Sequence, residues 1–390
     1  MPNEPIQEGE GALLHLYRNN KIIALSTLCI GSELNSTYEL ELASDRFTIT
    51  LFTSGSTGEP KGVMFNHDAT LFNLRCWKSA LNLSEKSRLF TEQGCLLILA
   101  SYIFGGELIL PKSQMSETDS ERYLGIFNKY LPDTCFMMPS GYEKIAIELS
   151  DEEHSAFGKV RTLLTGGAPL SDGALSVIGR CNSSSIRSGY GLTEVPLISF
   201  SDEFQQTSDK KCVGWPFDGV QVQVKSSSYG EVGEILVSSP GQSSCYMISG
   251  NKELIPERPF ETGDLGYLDI SGKLYIVGRN SQCVRNSEQK YIGIGEIESE
   301  LETIAHSRAC AFITGKERPR GLRKWCVVIS NLNENGRLGH EREKDILEFI
   351  TVNFPTLERQ AEIYYTEEAL PFNTAGKVDR LSLAKTYNIE

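Results

Sequence analysis

A chain of 390 residues, 40% hydrophobic and 23% charged, is long enough to bury a large core and has the make-up of a soluble protein with two or more domains. Its formal charge of −13 argues against wrapping nucleic acid, which depends on lysine and arginine neutralising phosphates. Ten cysteines occur without a Cys-x-x-Cys pair, which sets aside a zinc knuckle or a redox motif and suits buried thiols in a reducing cytosol.

The start, Met1-Pro2-Asn3-Glu4, lacks the basic and apolar regions of a signal peptide, so a cytoplasmic location is expected. Leu13–Leu16 reads as a short helix and Ile22–Ile30 as a strand. Phe47–Phe52 is β-branched and aromatic and reads as a buried strand. It runs into Thr53-Ser54-Gly55-Ser56-Thr57-Gly58-Glu59-Pro60-Lys61-Gly62, and helix-starting residues Asn66-His67-Asp68 open a helix over 67–81. Strand, small-residue loop and helix together present backbone N–H groups and hydroxyls to an anion. Glycines admit a phosphate closely, and Lys61 adds a mobile charge, although an ordinary polar loop has the same composition. The spacing fits neither a Walker loop nor a dinucleotide fingerprint.

Further along, Cys95–Phe104 is too short for a bilayer and reads as a buried strand or helix. Ser120–Tyr130 has helical periodicity, and a strand over 133–138 leads to a helix ending near Leu149. Val160–Leu164 is a strand candidate ending in Gly166-Gly167-Ala168-Pro169-Leu170-Ser171, followed by a helix from Asp172 to Arg180. Ser184–Arg187 then leads into Ser188-Gly189-Tyr190-Gly191-Leu192-Thr193-Glu194. Strands alternating with helices, and small-residue loops after the strands, predict a parallel α/β sheet with its ligand at the strands' carboxyl ends. From Val213 to Ile276 short alternating runs predict a β-rich subdomain. After Gly278-Arg279-Asn280-Ser281 the chain reads as a compact α+β module, with strands at Ala309–Ile313, Trp325–Ser330 and Glu362–Tyr365 and helices at Gly295–Ile304 and Glu341–Asn353.

The glycine-rich loop resembles the signature loop of the adenylate-forming superfamily, which includes acyl-CoA synthetases, nonribosomal-peptide adenylation domains and luciferases. The resemblance extends in order along the chain. It implies that Thr53, Ser54, Gly55, Ser56, Thr57, Gly58 and Lys61 bind the phosphates of ATP. Gly167, Ala168 and Pro169 resemble the loop beside adenine, and Gly189, Tyr190 and Gly191 the segment whose tyrosine stacks near that base. By the same likeness Thr193 meets the α-phosphate and Glu194 helps hold Mg2+, which commonly takes one or two carboxylates along with phosphate oxygens. A capped turn opening a helix is the other reading of Thr193-Glu194, although Pro196 would break that helix. Asp264 of Thr262-Gly263-Asp264 matches the ribose-binding carboxylate, and Arg279 the arginine that reaches nucleotide oxygens. Leu370-Pro371-Phe372-Asn373-Thr374-Ala375-Gly376-Lys377-Val378-Asp379-Arg380 resembles the C-terminal element whose lysine, here Lys377, stabilises charge during displacement at phosphorus.

What the likeness implies is an α/β large domain over 1–279, with parallel sheets sandwiched by helices plus a β-rich subdomain, and a small mobile α+β lid over 280–390. It implies an acid–thiol ligase that forms acyl-AMP from ATP, Mg2+ and a small carboxylic acid, and then passes the acyl group to CoA or to the phosphopantetheine of an acyl or peptidyl carrier protein. An amino-acid-activating enzyme and a non-catalytic ATP-binding relative are the alternatives. The sequence departs from the pattern in three places. Only residues 1–52 precede the glycine-rich loop, so a partner protein or a second copy is a candidate to complete that region. Asn280 or Ser281 replaces the hinge aspartate, and the stretch from Gln282 to Glu298 lacks an expected glycine, which weakens the thioester step relative to adenylation. Phe90-Thr91-Glu92-Gln93 stands where many relatives place an aromatic–histidine pair, and Glu92 is a candidate for meeting a substrate amine or a plain solvated residue. The basic run Lys316, Arg318, Arg320, Arg323 and Lys324 suits an acidic carrier helix, CoA phosphates or solvent.

Overall fold

The computed structural model describes residues 12–18, 21–28, 47–54, 60–91, 94–104, 106–110, 120–139, 141–142, 160–168, 185–201, 211–226, 228, 230–248, 251–255, 259–305, 309–317, 323–330, 340–355, 357, 362–366, 368, 370–371 and 378–389. The chain divides into two compact units that interleave in sequence. The first takes Met1–Gln223, Leu236–Phe260 and Ile270–Leu274, and the second Val224–Ile235, Glu261–Asp269 and Tyr275–Glu390.

The first unit contains the parallel sheet expected from the alternating pattern. Arg88–Thr91 pairs in parallel with Glu107–Ile109 and with Thr134–Met137; Thr134–Met137 pairs with Thr162–Gly166, and that strand with Ser185–Tyr190. Its strands are apolar without alternation because both faces are covered: Leu89, Phe90, Cys135, Met137, Leu163 and Leu164 are all buried. The sheet turns antiparallel through Ser199–Phe200 and Cys212–Pro216. Cys95–Phe104 is a helix, with Leu96 to Ser101 buried. The helix His67–Leu81 starts where Asn66 accepts a hydrogen bond from the Ala69 amide at 2.8 Å, and it ends at Asn82 in the left-handed region with φ of 52°.

Two expectations need correction. Leu13–Leu16 is not helical: it lies in the strand Ala12–Arg18, paired antiparallel with Lys21–Leu28. Asn19-Asn20 between them is a turn signal at tight-hairpin spacing, and pairing two apolar segments outweighs the local helical period. The glycine-rich loop is also not followed directly by a helix. Phe47–Ser54 pairs antiparallel with Pro60–Asn66, so residues 55–59 join two strands and the helix comes only after the second. The clue is the alternation of Lys61-Gly62-Val63-Met64-Phe65, with Val63 and Phe65 fully buried. Cys245–Ile248 and Asn251–Leu254 extend this sheet beyond Pro60–Asn66.

Gln221–Lys225, Gly233–Ser238, Phe260–Leu268 and Leu274–Arg279 lie side by side in that order, and of these strands residues 224–225, 233–235, 261–268 and 275–279 belong to the second unit. Lys225 Nζ ties three of them, reaching Glu261 at 2.6 Å and Glu234 at 3.2 Å. A separate sheet has Arg323–Ser330 in the middle, antiparallel to Ala309–Glu317 and parallel to Glu362–Thr366. Its alternation divides two cores. Cys310, Phe312, Trp325, Val327 and Ile329 pack with residues of the helices Ile294–Ala305 and His340–Asn353. Ala311, Ile313, Cys326 and Val328 pack with Leu370, Leu383 and Ile389 instead. Among the described residues no helix is long and apolar enough to cross a membrane.

Candidate functional site

Strand alternation places Lys61, Val63 and Phe65 on one face of their strand, and Tyr246 is the cross-strand partner of Val63 on the neighbouring strand. Leu51 and Tyr246 pack on the small core of Val63, Phe65 and Ala69. The ring of Tyr246 therefore lies beside Lys61, whose Nζ is 3.0 Å from the ring centroid. A cation over an aromatic face contributes roughly 0.5–2 kcal/mol, depending on desolvation. The other end of the same side chain donates to the Glu194 carboxylate, with Tyr246 Oη 2.9 Å from Oε1. Burial pushes the Tyr246 phenol well above its ordinary range, and the Glu194 charge and hydrogen bond push it further. Tyr246 thus stays a protonated donor at any physiological pH.

Glu194 itself is set by a tight turn. Leu192 and Val195 exchange backbone hydrogen bonds at 2.9 and 3.2 Å, so Thr193-Glu194 lies in a turn and not in a helix. The Glu194 carbonyl accepts from the Ser243 amide at 2.9 Å, tying its backbone to the segment that leads to Tyr246. The turn depends on Gly191, where a Cβ would sit 2.0 Å from the carbonyl oxygen of Pro196. Gly189 is paired with Gly166 across parallel strands, and Tyr190, half-buried, pairs with Ser199. Gly167 and Ala168 follow the end of the strand Thr162–Gly166.

Asp264 and Arg279 belong to the second unit, where they contact each other. Arg279 Nε lies 3.0 Å from Asp264 Oδ1, and its Nη1 donates to the Thr262 carbonyl at 2.6 Å. Asp264 is only 4% exposed, whereas the Arg279 side chain is 48% exposed. Thr262 Oγ1 donates to the Ile235 carbonyl and accepts from the Asp264 amide, and Gly263 between them has a φ of 71°, a conformation that favours glycine. Gly55, Ser56, Thr57, Gly58, Pro169 and Lys377 lie outside the described residues, as do Glu92 and the predicted helix 172–180. Thr53 and Ser54 are placed at the end of their strand by the backbone alone. Tyr246 carried no motif in the sequence; its only signal is the position opposite Val63, which needs the strand register to be read.

Residues 15–247 match the AMP-binding enzyme family. This chain belongs to that family. Membership places it in the adenylate-forming superfamily of ATP-using, AMP-forming ligases, with the α/β fold described above. The chain is 25% identical over 354 residues to 2-succinylbenzoate–CoA ligase of Lactococcus lactis subsp. lactis, covering 88% of this chain and 72% of that one. It is 27% identical over 360 residues to bacitracin synthase 1 of Bacillus licheniformis, covering 85% of this chain and 6% of that one. Among solved structures it is similar to O-succinylbenzoate coenzyme A synthetase of Bacillus subtilis in complex with ATP and magnesium ion. There the TM-score is 0.67 with 20% identity, over 90% of this chain and 73% of that one.

The donor set fits magnesium arriving with a nucleotide. Among the described residues no group of three His, Cys, Asp or Glu could hold a metal unaided. Glu194 offers a single carboxylate, which suits an ion whose other ligands are phosphate oxygens and water. Ser243, whose amide donates to the Glu194 carbonyl, has a buried Oγ without a hydrogen-bond partner among the described residues, a polar atom whose burial calls for a partner.

Proposed function

We propose that this chain activates a small carboxylic acid as acyl-AMP, releases pyrophosphate, and passes the acyl group to a thiol. The observation that carries the reading is the arrangement of Lys61, Tyr246 and Glu194. The cation that this reading assigns to phosphate and the carboxylate that it assigns to Mg2+ are joined through one side chain. In this reading Lys61 and the hydroxyls of Ser54, Ser56 and Thr57 hold the β- and γ-phosphates, and Thr193 meets the α-phosphate. Glu194 holds Mg2+, whose positive charge offsets that of the phosphate oxygens. Gly167, Ala168, Pro169, Gly189, Tyr190 and Gly191 accommodate the base, and Asp264, oriented by Arg279, takes the ribose hydroxyls. Lys377 completes the electrostatic stabilisation at phosphorus when the small domain over 280–390 closes.

CoA is the acceptor favoured by the relatives named as CoA ligases, and loading of a carrier protein is the reading favoured by the likeness to bacitracin synthase 1. ATP–pyrophosphate exchange across a panel of carboxylic and amino acids tests the first half-reaction. Exchange with at least one acid is expected, and none with any acid would point to a non-catalytic ATP-binding protein. Lys377→Ala should abolish exchange, and unchanged exchange would remove that residue from the mechanism. CoA or a phosphopantetheinylated carrier, added separately, identifies the acceptor by acid-dependent release of AMP.

A further inference from the structure

We infer that Tyr246 is a positioning residue that keeps Lys61 and Glu194 from neutralising each other before nucleotide binds. The inference rests on the adenylation reading for the roles of those two groups. It starts from an electrostatic problem: one pocket that must bind a polyphosphate and its magnesium ion needs a cation and a carboxylate close together, and opposite charges at that range attract. If they pair directly, each must be separated again before the substrate can take their place. The phenol of Tyr246 meets both demands with separate parts of one side chain. Its ring face takes the Lys61 ammonium 3.0 Å from the centroid, and its hydroxyl donates to Glu194 Oε1 at 2.9 Å. The two charges thus meet different parts of one side chain, the ammonium over the ring face and the carboxylate at the hydroxyl.

Each contact can give way to substrate in a different manner. A cation over a ring makes no directional bond, so its contact with Tyr246 sets no fixed geometry that the flexible lysine stem must leave when it moves to a phosphate. The hydroxyl holds one carboxylate oxygen and so orients the carboxylate, leaving the geometry of the other oxygen set for an ion. Tyr246 is fixed by packing on Val63, Phe65 and Ala69 and by its antiparallel register opposite Val63. No other side chain supplies both an aromatic face and a hydroxyl donor on one rigid body.

Two variants of the full chain separate the two contacts. Tyr246→Phe keeps the ring and removes the donor, so the half-saturating Mg2+ concentration for exchange should rise about tenfold, the scale of a hydrogen bond to a charged group. Tyr246→Leu removes both contacts and allows Lys61 and Glu194 to pair, so the apparent constants for Mg2+ and pyrophosphate should both rise. Part of that loss should be recovered as ionic strength increases, because salt screens the new ion pair. A purely structural role would lower kcat and the melting temperature without shifting the Mg2+ dependence or responding to salt, and that result overturns the inference. So does a change of less than about twofold in both variants, a margin well below a charged hydrogen bond. Calorimetric binding of ATP at varied Mg2+ gives the same comparison without turnover. A wild type that binds MgATP but exchanges with no acid refutes the adenylation reading while still testing Tyr246.

Discussion

At the scale of single residues, the turn at Gly191 has the least room for change. A methyl group there meets backbone and not a movable side chain, with 2.0 Å to the Pro196 carbonyl oxygen. Gly191→Ala should therefore open the turn that carries Thr193 and Glu194, costing roughly 1–3 kcal/mol of stability as overpacking does. Pyrophosphate exchange should fall with it. Wild-type melting and wild-type exchange together would show that the turn relaxes freely. The residues of this turn were legible in the sequence because each is chemically distinctive: a glycine, a hydroxyl and a carboxylate in fixed order. Tyr246 was not, because a tyrosine in Cys245–Ile248 looks like any strand residue until the register sets it opposite Val63. Nor did residue types reveal that Asp264 and Arg279 touch, since the contact depends on neighbouring strands that the sequence does not pair.

Among the elements, the last helix is attached by an ion pair. Arg380 opens the helix Arg380–Thr386, and its Nη2 lies 2.5 Å from Glu298 Oε2 on the helix Ile294–Ala305. The other oxygen of Glu298 accepts from the Phe312 amide at 2.9 Å, so one carboxylate joins two helices and a strand. Both side chains are mostly buried, at 23% and 13% exposed. Burial raises the Glu298 carboxyl above its ordinary range, opposed by the Arg380 charge and by hydrogen bonds from Arg380 and Phe312. Removing one member leaves the other uncompensated, so Arg380→Ala should destabilise by about 3–5 kcal/mol, seen as a lower urea midpoint at unchanged slope. An unchanged midpoint would mean that the pair contributes nothing net. Lys377 stands three residues before Arg380 in the sequence, so loosening this anchor should also weaken exchange. Most element boundaries in this region were legible to within about two residues, since strands and helices alternate in clean apolar periods, but the strand from Ala309 runs on to Glu317 and the helix Arg380–Thr386 was not foreseen. The strand after the glycine-rich loop was not legible, because it begins with Pro60-Lys61-Gly62, residues that composition assigns to loops.

For the molecule as a whole, the buried thiols make stability depend on alkaline pH. Burial pushes Cys76 and Cys326 from 9.0 up to about 12, and in Cys326 the Glu362 carboxylate adds to the effect. In the unfolded chain these thiols ionise near the ordinary cysteine value of about 8.5. Between those limits the folded chain keeps protons that the unfolded chain has lost, so stability falls as pH rises through the window and is unaffected below it. The slope of melting temperature against alkaline pH should flatten in Cys326→Ala relative to wild type. An identical slope would show that the thiol ionises alike in both states. The fold class was legible from alternating strands and helices, yet the interleaving of the two units was not, because a segment such as 224–235 carries no mark of the unit it joins.

The two-faced sheet of the second unit has a further chemical consequence. Cys310 lies on the face covered by the helices Ile294–Ala305 and His340–Asn353, and Cys326, on the adjacent strand, lies on the opposite face. The sheet lies between the two sulfur atoms, and the register separates them further, because Cys310 pairs with Ile329 and Cys326 with Ile313. A disulfide needs β-carbons about 3.5–4.5 Å apart on the same side. Oxidative stress on the folded protein therefore cannot lock these strands together by a crosslink, and any such bond found by mass spectrometry would record a chain that had first come apart.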